Sequence, residues 1–455
     1  MRARNLLSIL TFLALSLLAP AVFASEGGEA IGMTLSLWWV VPFIVMLLCI
    51  AVLPLAAEKW WHPNRNKAIV SAVLGLPVIG MFLYMDHHAV LHTGEEFVSF
   101  IILLGALFVI SGGIVIQTDL RATPLVNTAF LALGAILASF MGTTGAAMLL
   151  IRPLLETNSQ RTKTLHTVIF FIFLVANIGG CLTPLGDPPL FMGYLAGVPF
   201  EWTFPLVAEW GVVVGALLII YFIFDTLMYT REPIAALEAD KLEVKPTRIV
   251  GAWLNTPLLI GVVLSVAFLN ENYLPFKAFP LWEGVLVALA VASWLGTRKE
   301  YREMNKFTFY PIIEVAALFV GIFATMIPAI LILKARGAEL GVTSPESFFW
   351  ATGGLSAFLD NTPTYVVFFA LAQGLGLKAG AVQVASTGVD EILLRAVSLG
   401  AVFMGAMTYI GNAPNFMVKA IAEERGMKMP SFFGYMIWSV LILIPLFVGV
   451  TFLFL

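Results

Sequence analysis

The chain has 455 residues, of which 60% are hydrophobic and only 12% are charged, and its formal net charge is −3. A typical soluble domain is about 25% charged, so this composition excludes an ordinary soluble protein. Many apolar runs approach the ~20 residues that cross a bilayer. The sequence therefore predicts a polytopic membrane protein with the lipid bilayer as its surroundings, and we expect no nucleic acid partner.

The first 24 residues have the pattern of a secretory signal peptide. Arg2 and Arg4 precede an apolar stretch that leads to small residues before Ala24. We expect cleavage after Ala24, and an uncleaved first helix is the alternative. In both cases the chain from Ser25 onward starts on the outer side of the membrane.

Apolar segments follow along the rest of the chain. They lie at about residues 35–57, 67–85, 96–117, 124–155, 165–200, 205–228, 251–270, 281–297, 308–333, 347–372, 392–424 and 431–455. Two of them, 124–155 and 347–372, are interrupted by MGTTG and LDNTP. Each half of these two is too short to cross, so each predicts a re-entrant hairpin with its tip near the bilayer midplane.

Segments 165–200 and 392–424 are too long for one crossing and contain PLGDPP and GNAPN. Both are predicted to be broken spanning helices. A break inside the membrane frees backbone groups that are costly unless they line a cavity or bind something. Asp187 is placed at the exposed helix ends, so we interpret this break as part of a binding site.

The distribution of basic residues supports this topology. With Ser25 outside and both hairpins re-entrant, most Lys and Arg residues fall on the cytoplasmic side, as the positive-inside rule requires. The outside receives only Lys277, Lys334, Arg336, Lys378 and Arg395.

The two halves of the chain also resemble each other. SFMGTTG from Ser139 aligns with AFLDNTP from Ala357, and GDPPLFM from Gly186 aligns with GNAPNFM from Gly411. Each half has five crossings plus one hairpin, and because five is odd, the second copy is inverted. Such repeats with broken helices are typical of secondary transporters.

The predicted fold is therefore an all-α polytopic membrane protein with two inverted repeats, each of five transmembrane helices plus one re-entrant hairpin, and with broken helices at the midplane. The expected organisation is a signal peptide at 1–24, a first repeat at 25–229, a charged cytoplasmic linker at 230–250 and a second repeat at 251–455.

Asp187 and Asp360 are the main candidate site residues, because an ionisable group at membrane depth is expensive and usually functional. The alternative is a carboxylate that only caps a half-helix. Neutral oxygens near them suit hard cations, although the same residue types are common in tight turns. The candidate ligands are Thr143, Thr144, Asn361, Thr362, Asn412 and Asn415, and Asn177 and Thr183 are left undecided.

Other polar residues have weaker functional interpretations. Glu314 is either a proton relay or an acid that reaches the membrane interface. His88 and His92 lie in a segment that we expect to be a solvated loop, and no metal site or cofactor is predicted. Further acids near helix ends are expected at the interface, namely Glu201, Glu209, Asp225 and Glu283.

At LTPLGDPPLF, FLDNTPTYVVFF and YIGNAPNFMV the sequence resembles the ion transporter superfamily, which holds NhaD-type sodium:proton antiporters, arsenite-efflux permeases and citrate or dicarboxylate carriers. The resemblance covers nearly the whole chain from about residue 35. It implies a scaffold and a transport domain that work by elevator motion, usually in a homodimer.

In the dicarboxylate branch, Ser-Asn-Thr motifs at the hairpin tips hold sodium and substrate carboxylates. The matching residues here are 142–144 (GTT) and 360–362 (DNT). The acid at Asp360, and the lack of a positive charge near either tip, favour a cation or proton over a carboxylate.

These observations predict a secondary active transporter of a bacterial inner membrane that exchanges Na⁺ or Li⁺ for H⁺ by alternating access. A Na⁺- or H⁺-coupled citrate or dicarboxylate transporter is the first alternative, and an arsenite efflux permease is the second. An enzyme is not expected, because the Gly-x-Gly-Asp signature of intramembrane aspartyl proteases fails at Pro184 and no Gly-x4-Gly-Lys-Ser/Thr loop is present.

Overall fold

The structure of the protein is a computed structural model that describes residues 28–242, 244–270, 280–377 and 380–455. The predicted signal peptide at 1–24 lies outside the described residues, as do Lys277 and Lys378. The boundaries of the two repeats stay a prediction.

The first half of the chain is almost entirely helical, as predicted. Short 3₁₀ turns at Leu37–Val40, Ile178–Leu182 and Phe200–Leu206 join or precede the longer helices. The α-helices are α1 (Gly28–Thr34), α2 (Val41–Ala56), α3 (Glu58–Trp61), α4 (Asn64–Met85), α5 (His87–Ser111), α6 (Pro124–Met141), α7 (Thr143–Thr157), α8 (Leu165–Leu174), α9 (Pro188–Leu195) and α10 (Val207–Tyr229).

The second half repeats this pattern of long helices, short helices and 3₁₀ turns. Its 3₁₀ turns lie at Gly337–Leu340 and Gly405–Met407. The α-helices are α11 (Ile234–Leu242), α12 (Ala252–Phe268), α13 (Leu281–Gly296), α14 (Lys299–Met304), α15 (Tyr310–Arg336), α16 (Pro345–Ser356), α17 (Asn361–Gly374), α18 (Glu391–Met404), α19 (Ala413–Glu424) and α20 (Phe432–Phe454).

Many of these helices have the dimensions of membrane spans. Within the described residues, eight helical stretches are long and apolar enough to cross a bilayer, and α12 and α13 are apolar but shorter. The prediction of an all-α polytopic membrane protein is therefore confirmed. The inverted orientation of the two halves stays a prediction.

Both predicted hairpins are helix pairs with a sharp interruption. Only Gly142 separates α6 from α7, and its φ of 79° lies in a region that glycine adopts at little cost. In the second hairpin, α16 and α17 are separated by residues 357–360. The helices of each pair pack against each other, so each interruption falls at the residues that the sequence indicates. The helix α6 is by itself long and apolar enough to cross a bilayer, which differs from the expectation that each half of a hairpin is too short, and the re-entrant course stays a prediction.

The linker differs from the charged loop that the sequence predicts. It contains α11 and a strand, β2 (Lys245–Val250), which pairs antiparallel with β1 (Val115–Asp119). The Asp240 carboxylate accepts hydrogen bonds from the backbone N–H of Ala122 at 3.1 and 3.2 Å. Pairing with the segment that follows α5 gives the linker backbone its hydrogen bonds, which a free loop would leave to water.

The helices pack into two groups, each drawn from both halves of the chain. We name the first helix group α1, α2, α4, α5, α12, α13 and α15, and the second helix group α6 to α10 and α16 to α20, because helices contact mainly other members of their own group. The largest helix–helix contact between the groups is that of α15 with α17. The site described below is built by the second helix group.

Candidate functional site

The two broken helices contain closely similar backbone breaks. After α8 and the turn Ile178–Leu182, the chain passes through a short non-helical segment of turns before α9, and after α18 the turn Gly405–Met407 is followed by a bent non-helical segment and then by α19. Asp187 and Asn412 take the N-cap positions of α9 and α19 in extended conformation, and neither side chain caps its own helix. Both side chains are therefore available for other contacts.

The same hydrogen bonds recur in the two halves. The Thr183 hydroxyl donates to the Ser139 carbonyl oxygen in the first half. The Thr408 hydroxyl donates to the Ala357 carbonyl oxygen at 2.5 Å in the second. Each pair ties a broken helix to the hairpin of its own half, at positions that the sequence alignment makes equivalent. These contacts support the internal repeat.

Asp187 lies at the centre of a buried polar cluster. It is 1% exposed, and its carboxylate accepts hydrogen bonds from Thr143 Oγ1 at 3.2 Å, Asn361 Nδ2 at 2.6 Å and Asn412 Nδ2 at 3.1 Å. Thr143 begins α7 at the first hairpin tip, Asn361 begins α17 at the second, and Asn412 precedes α19 at the second break. Both tips and both breaks thus meet at one carboxylate.

Asp187 has no cationic partner among the described residues, since no Lys, Arg or His nitrogen lies within 4.0 Å of its carboxylate. A buried carboxylate that is only hydrogen-bonded to neutral groups is costly while it is charged. A proton or a bound metal cation would remove that cost. The cluster is therefore chemically suited to exchange one for the other.

Asp360 has a different environment from Asp187. It is half-buried, and its Oδ1 accepts a hydrogen bond from the Thr362 backbone N–H at 3.0 Å, which caps α17. It is not among the side chains that contact Asp187. The structure thus places Asp360 in the capping geometry, next to the cluster and not in it.

The remaining predicted ligands lie around the cluster at different depths. Thr362 is buried, and its hydroxyl donates to Asn361 Oδ1 at 3.4 Å. Asn415 is fully buried one turn into α19, and Asn177 Nδ2 donates to its Oδ1 at 2.6 Å. Thr144 is half-buried and is not among the Asp187 contacts.

A cavity of about 160 Å³ lies between the two helix groups. Its walls include Met148 of α7 and Met417 of α19, which are one to two helical turns from the ends that contact Asp187. Arg152 and Lys306 also line it, and Glu424 pairs with both, at 3.6 and 2.5 Å. A largely apolar cavity with two basic side chains in its wall therefore lies along the two helices that lead away from the cluster.

Glu314 does not belong to the Asp187 cluster. Its Oε1 forms an ion pair with Lys67 Nζ at 2.6 Å, between α15 and α4 of the first helix group. Lys67 lies in the first turn of α4 and is 2% exposed. The pair links two tightly packed helices, and a relay role for Glu314 stays a prediction.

Three acids that we expect at the membrane interface are buried against other helices of the protein. Asp225 accepts from Arg161 at 2.7 Å and contacts His166 at 2.8 Å. The other contacts are Glu209 with Arg395 at 3.0 Å and Glu283 with Ser99 at 2.6 Å. Sequence reasoning missed these pairs because each joins residues that are 59 to 186 positions apart. Glu201, by contrast, is exposed.

The segment that contains His88 and His92 is helical, which corrects the expectation of a loop. Asp86 caps α5 by accepting from the Ala89 backbone N–H at 3.2 Å, so the helix begins at His87. His92 Nδ1 lies 3.5 Å from Glu96 Oε1, one turn further along.

The fold and this cluster define a class of protein, namely a polytopic membrane protein in which broken helices and hairpin tips converge on a buried carboxylate. That arrangement is typical of secondary transporters. Residues 32–455 match the model of a family described as "Putative citrate transport", and the chain belongs to this family.

Two curated relatives extend this result. They are named uncharacterized transporters, from Mycobacterium bovis and Mycobacterium tuberculosis, and each is 26% identical over 401 residues, which is 79% of this chain and 87% of the relative. The predicted resemblance to the ion transporter superfamily is confirmed. The protein is thus a multi-pass membrane protein of a transporter family.

Proposed function

We propose that this protein is a secondary active transporter that exchanges Na⁺ or Li⁺ for H⁺, with Asp187 as the group that binds either ion. The observation that carries the proposal is the environment of Asp187, a fully buried carboxylate that accepts hydrogen bonds only from neutral side chains. These side chains come from both hairpin tips and from the opposite break, so movement of any one element changes the coordination of the carboxylate.

Competition between the two ions follows from electrostatics. While Asp187 is charged, a cation beside it lowers the cost of burial, and while it is protonated the cation loses its main attraction. Alternating access then couples the cation flux to the proton flux. A site that is occupied and neutral crosses the membrane at lower energetic cost than a site that is empty and charged. Thr143, Asn361 and Asn412 would hold the carboxylate in place in either state.

Carboxylate transport is the second candidate, and two observations favour it. The family description refers to citrate transport, and the cavity between the helix groups is lined by Arg152 and Lys306, which share the single acid Glu424 as their partner. An anion there would still meet the negative charge of Asp187, so it would require a co-bound proton or sodium ion at that residue. The proposed sodium or proton site therefore serves this candidate as well.

The transporter is proposed to reside in a bacterial inner membrane as a homodimer, in line with the family resemblance and the bacterial relatives. The cavity beside α7 and α19 would provide access to the cluster from one side. Transported Na⁺ and H⁺ are the small-molecule partners in this proposal.

A proteoliposome assay tests the proposed function. Purified protein is reconstituted with an internal pH dye and an imposed proton gradient, and NaCl, LiCl, KCl, citrate or arsenite is added separately. We expect Na⁺ and Li⁺ alone to dissipate the gradient. Raising the pH should lower the half-saturating Na⁺ concentration, by up to about tenfold per unit for one competing proton.

Each alternative gives a different result in the same assay. A citrate carrier would move protons or accumulate label only when citrate is present, and an arsenite permease would respond only to arsenite. A strict requirement for either anion would contradict cation exchange and leave the fold unaffected.

A further inference from the structure

The amide oxygen of Asn177 is fully buried beside the Asp187 cluster and has no hydrogen-bond donor. Asn177 lies in the first break and is 0% exposed. Its Nδ2 donates to the Ile172 carbonyl oxygen at 2.8 Å and to Asn415 Oδ1 at 2.6 Å. Its Oδ1 accepts no hydrogen bond from any residue in the described ranges.

The orientation of this amide is fixed by its neighbours. Because the oxygen and nitrogen of an asparagine are alike in shape, hydrogen bonds must decide which is which. Asn415 Nδ2 donates to the carbonyl oxygens of Gly405 and Thr408, both at 2.9 Å, so Asn415 must present its oxygen to Asn177. If the Asn177 amide were turned over, its oxygen would face two acceptors, the Ile172 carbonyl oxygen and Asn415 Oδ1. The atom without a partner is therefore the amide oxygen.

This oxygen faces the polar space next to Asp187. A methyl group built on the Cα of Gly405 would lie 3.1 Å from Asn177 Oδ1 and 3.6 Å from Asn361 Nδ2. The same Asn361 nitrogen donates to Asp187 at 2.6 Å. Asn412 Nδ2 makes a second connection, because it donates both to Asp187 and to the carbonyl oxygen of Ala176, the residue before Asn177.

The equivalent position in the first half has no such polar space. Gly180 corresponds to Gly405 in the alignment of the two breaks. A methyl group on Gly180 would lie 2.7 Å from the Thr143 methyl group and 2.8 Å from the Gly186 carbonyl oxygen. The space above Gly405 is thus bordered by two side-chain amides and, at 3.4 Å, by the Gly411 carbonyl oxygen, whereas its counterpart is filled more tightly by a side-chain methyl group and the corresponding backbone.

A buried acceptor without a donor lowers stability, and one that lies beside a buried carboxylate calls for an explanation such as a bound ion. We propose that Asn177 Oδ1 is a ligand of the transported alkali cation, which it shares with the Asp187 carboxylate. The proposal rests on the proposed cation exchange at Asp187. An oxygen pair of one carboxylate and one amide suits a hard monovalent cation, and the rigidly held amide sets the distance that distinguishes Li⁺ from Na⁺.

Two variants test this proposal without removing Asp187. Gly405→Ala places a methyl group in the shared space, 3.1 Å from Asn177 Oδ1, and removes no atom of the Asn177 and Asn415 hydrogen bonds. The backbone at Gly405 (φ −56°) accepts alanine. Asn177→Ser withdraws the ligand oxygen. Gly449→Ala is the control, because nothing lies within 4 Å of its added methyl group.

Binding of NaCl and LiCl to purified protein is measured by calorimetry at one pH, together with the melting temperature. We expect Gly405→Ala to raise the half-saturating Na⁺ concentration at least tenfold, and Asn177→Ser to change the Li⁺/Na⁺ affinity ratio at least threefold. The control should behave as the wild type.

The outcomes separate the two hypotheses. Wild-type protein that binds neither Na⁺ nor Li⁺ would contradict the proposed function itself. If the wild type binds both ions, wild-type affinity in folded Gly405→Ala, or an equal loss of both affinities in Asn177→Ser, would show that Asn177 only supports the fold. Should Gly405→Ala not fold, the affinity ratio of Asn177→Ser decides alone.

Discussion

Asp187 and Asp360 show how one residue type at a helix start serves two purposes. Both occupy N-cap positions, but only Asp360 accepts a hydrogen bond from its own helix. Asp187 instead accepts from residues 44, 174 and 225 positions away in the sequence. The sequence gives the two acids equal rank, because a local pattern shows only that an acid precedes a helix. It does not show which distant side chains contact that acid.

The two acids should therefore respond differently to the same substitution. Asp187→Asn removes the only charge in the cluster, and we expect loss of Na⁺-dependent proton movement to background in proteoliposomes. Asp360→Asn keeps a cap of similar strength, since Asn and Asp cap helices about equally well, and we expect exchange to persist. Abolished exchange in folded Asp360→Asn would restore Asp360 as a second carrier of charge.

Glu232 provides a pH-dependent contribution to stability outside the membrane-spanning helices. Burial alone would raise the pKa of this carboxyl, but hydrogen bonds from the Thr162 hydroxyl and from the backbone N–H groups of Thr162 and Lys163, with Arg161 nearby, lower it. A lowered pKa means that the stabilisation is fully present above the ordinary glutamate pKa and is lost as the pH falls through the lowered value.

We expect Glu232→Gln to destabilise the protein by about 2 kcal/mol at pH 7, because it removes charge-assisted hydrogen bonds. The difference in melting temperature between wild type and variant in detergent should shrink as the pH is lowered towards 4. Glu238→Gln, at an exposed position in the same linker, is the matched control. A difference that stays constant with pH would show that charge at Glu232 is unimportant.

At the scale of elements, the breaks were predictable and the β1–β2 ribbon was not. Proline and glycine inside an apolar run contradict a continuous helix, so both interrupted hairpins and both broken helices could be placed from the sequence. The strand β1 follows directly on an apolar helix, and β2 lies in a charged linker, so neither has the alternating pattern of an isolated strand. Their pairing, Val115 with Val250, joins distant segments, which no local signal encodes.

The ribbon depends on a close backbone contact at its end. Gly251 follows β2 with a φ of 77°, and a methyl group there would lie 2.0 Å from the Gly113 carbonyl oxygen. We expect Gly251→Ala to destabilise the protein by about 2–3 kcal/mol, from the backbone strain and the clash together, measured by thermal unfolding in detergent.

Gly284→Ala is the control for this substitution, because nothing lies within 4 Å of its added methyl group and it lies within α13. Alanine there should leave stability unchanged or raise it slightly through helix propensity. Equal melting temperatures for Gly251→Ala and the wild type would indicate that the contact between the ribbon and α5 is not required.

At the scale of the whole molecule, the two halves make equivalent backbone contacts but carry different side chains at the equivalent site positions. Thr183 and Thr408 bind their hairpins in the same way, whereas Asp187 is matched by Asn412, and Thr143 by Asn361. Each half also supplies helices to both helix groups. The second half has its own acid, Asp360, at the hairpin tip, but only the first half supplies a charged side chain to the cluster where both halves meet.

The inverted repeat makes a prediction about sidedness that accessible cysteines can test. Five predicted crossings separate Lys163, after the first hairpin, from Glu339, after α15, and both residues are exposed. Single cysteines at these positions, in a background with Cys49 and Cys181 replaced by alanine, should react with a membrane-impermeant maleimide from opposite sides of oriented vesicles. A cysteine at Arg121, before the first hairpin, should label from the same side as one at Lys163, because a re-entrant hairpin returns the chain to the side from which it entered.

Full labelling of all three cysteine variants in detergent is the control for reactivity. Labelling of Lys163 and Glu339 from one side would contradict the inversion, and the shared contacts of the two breaks would then have to arise from copies that face the same way.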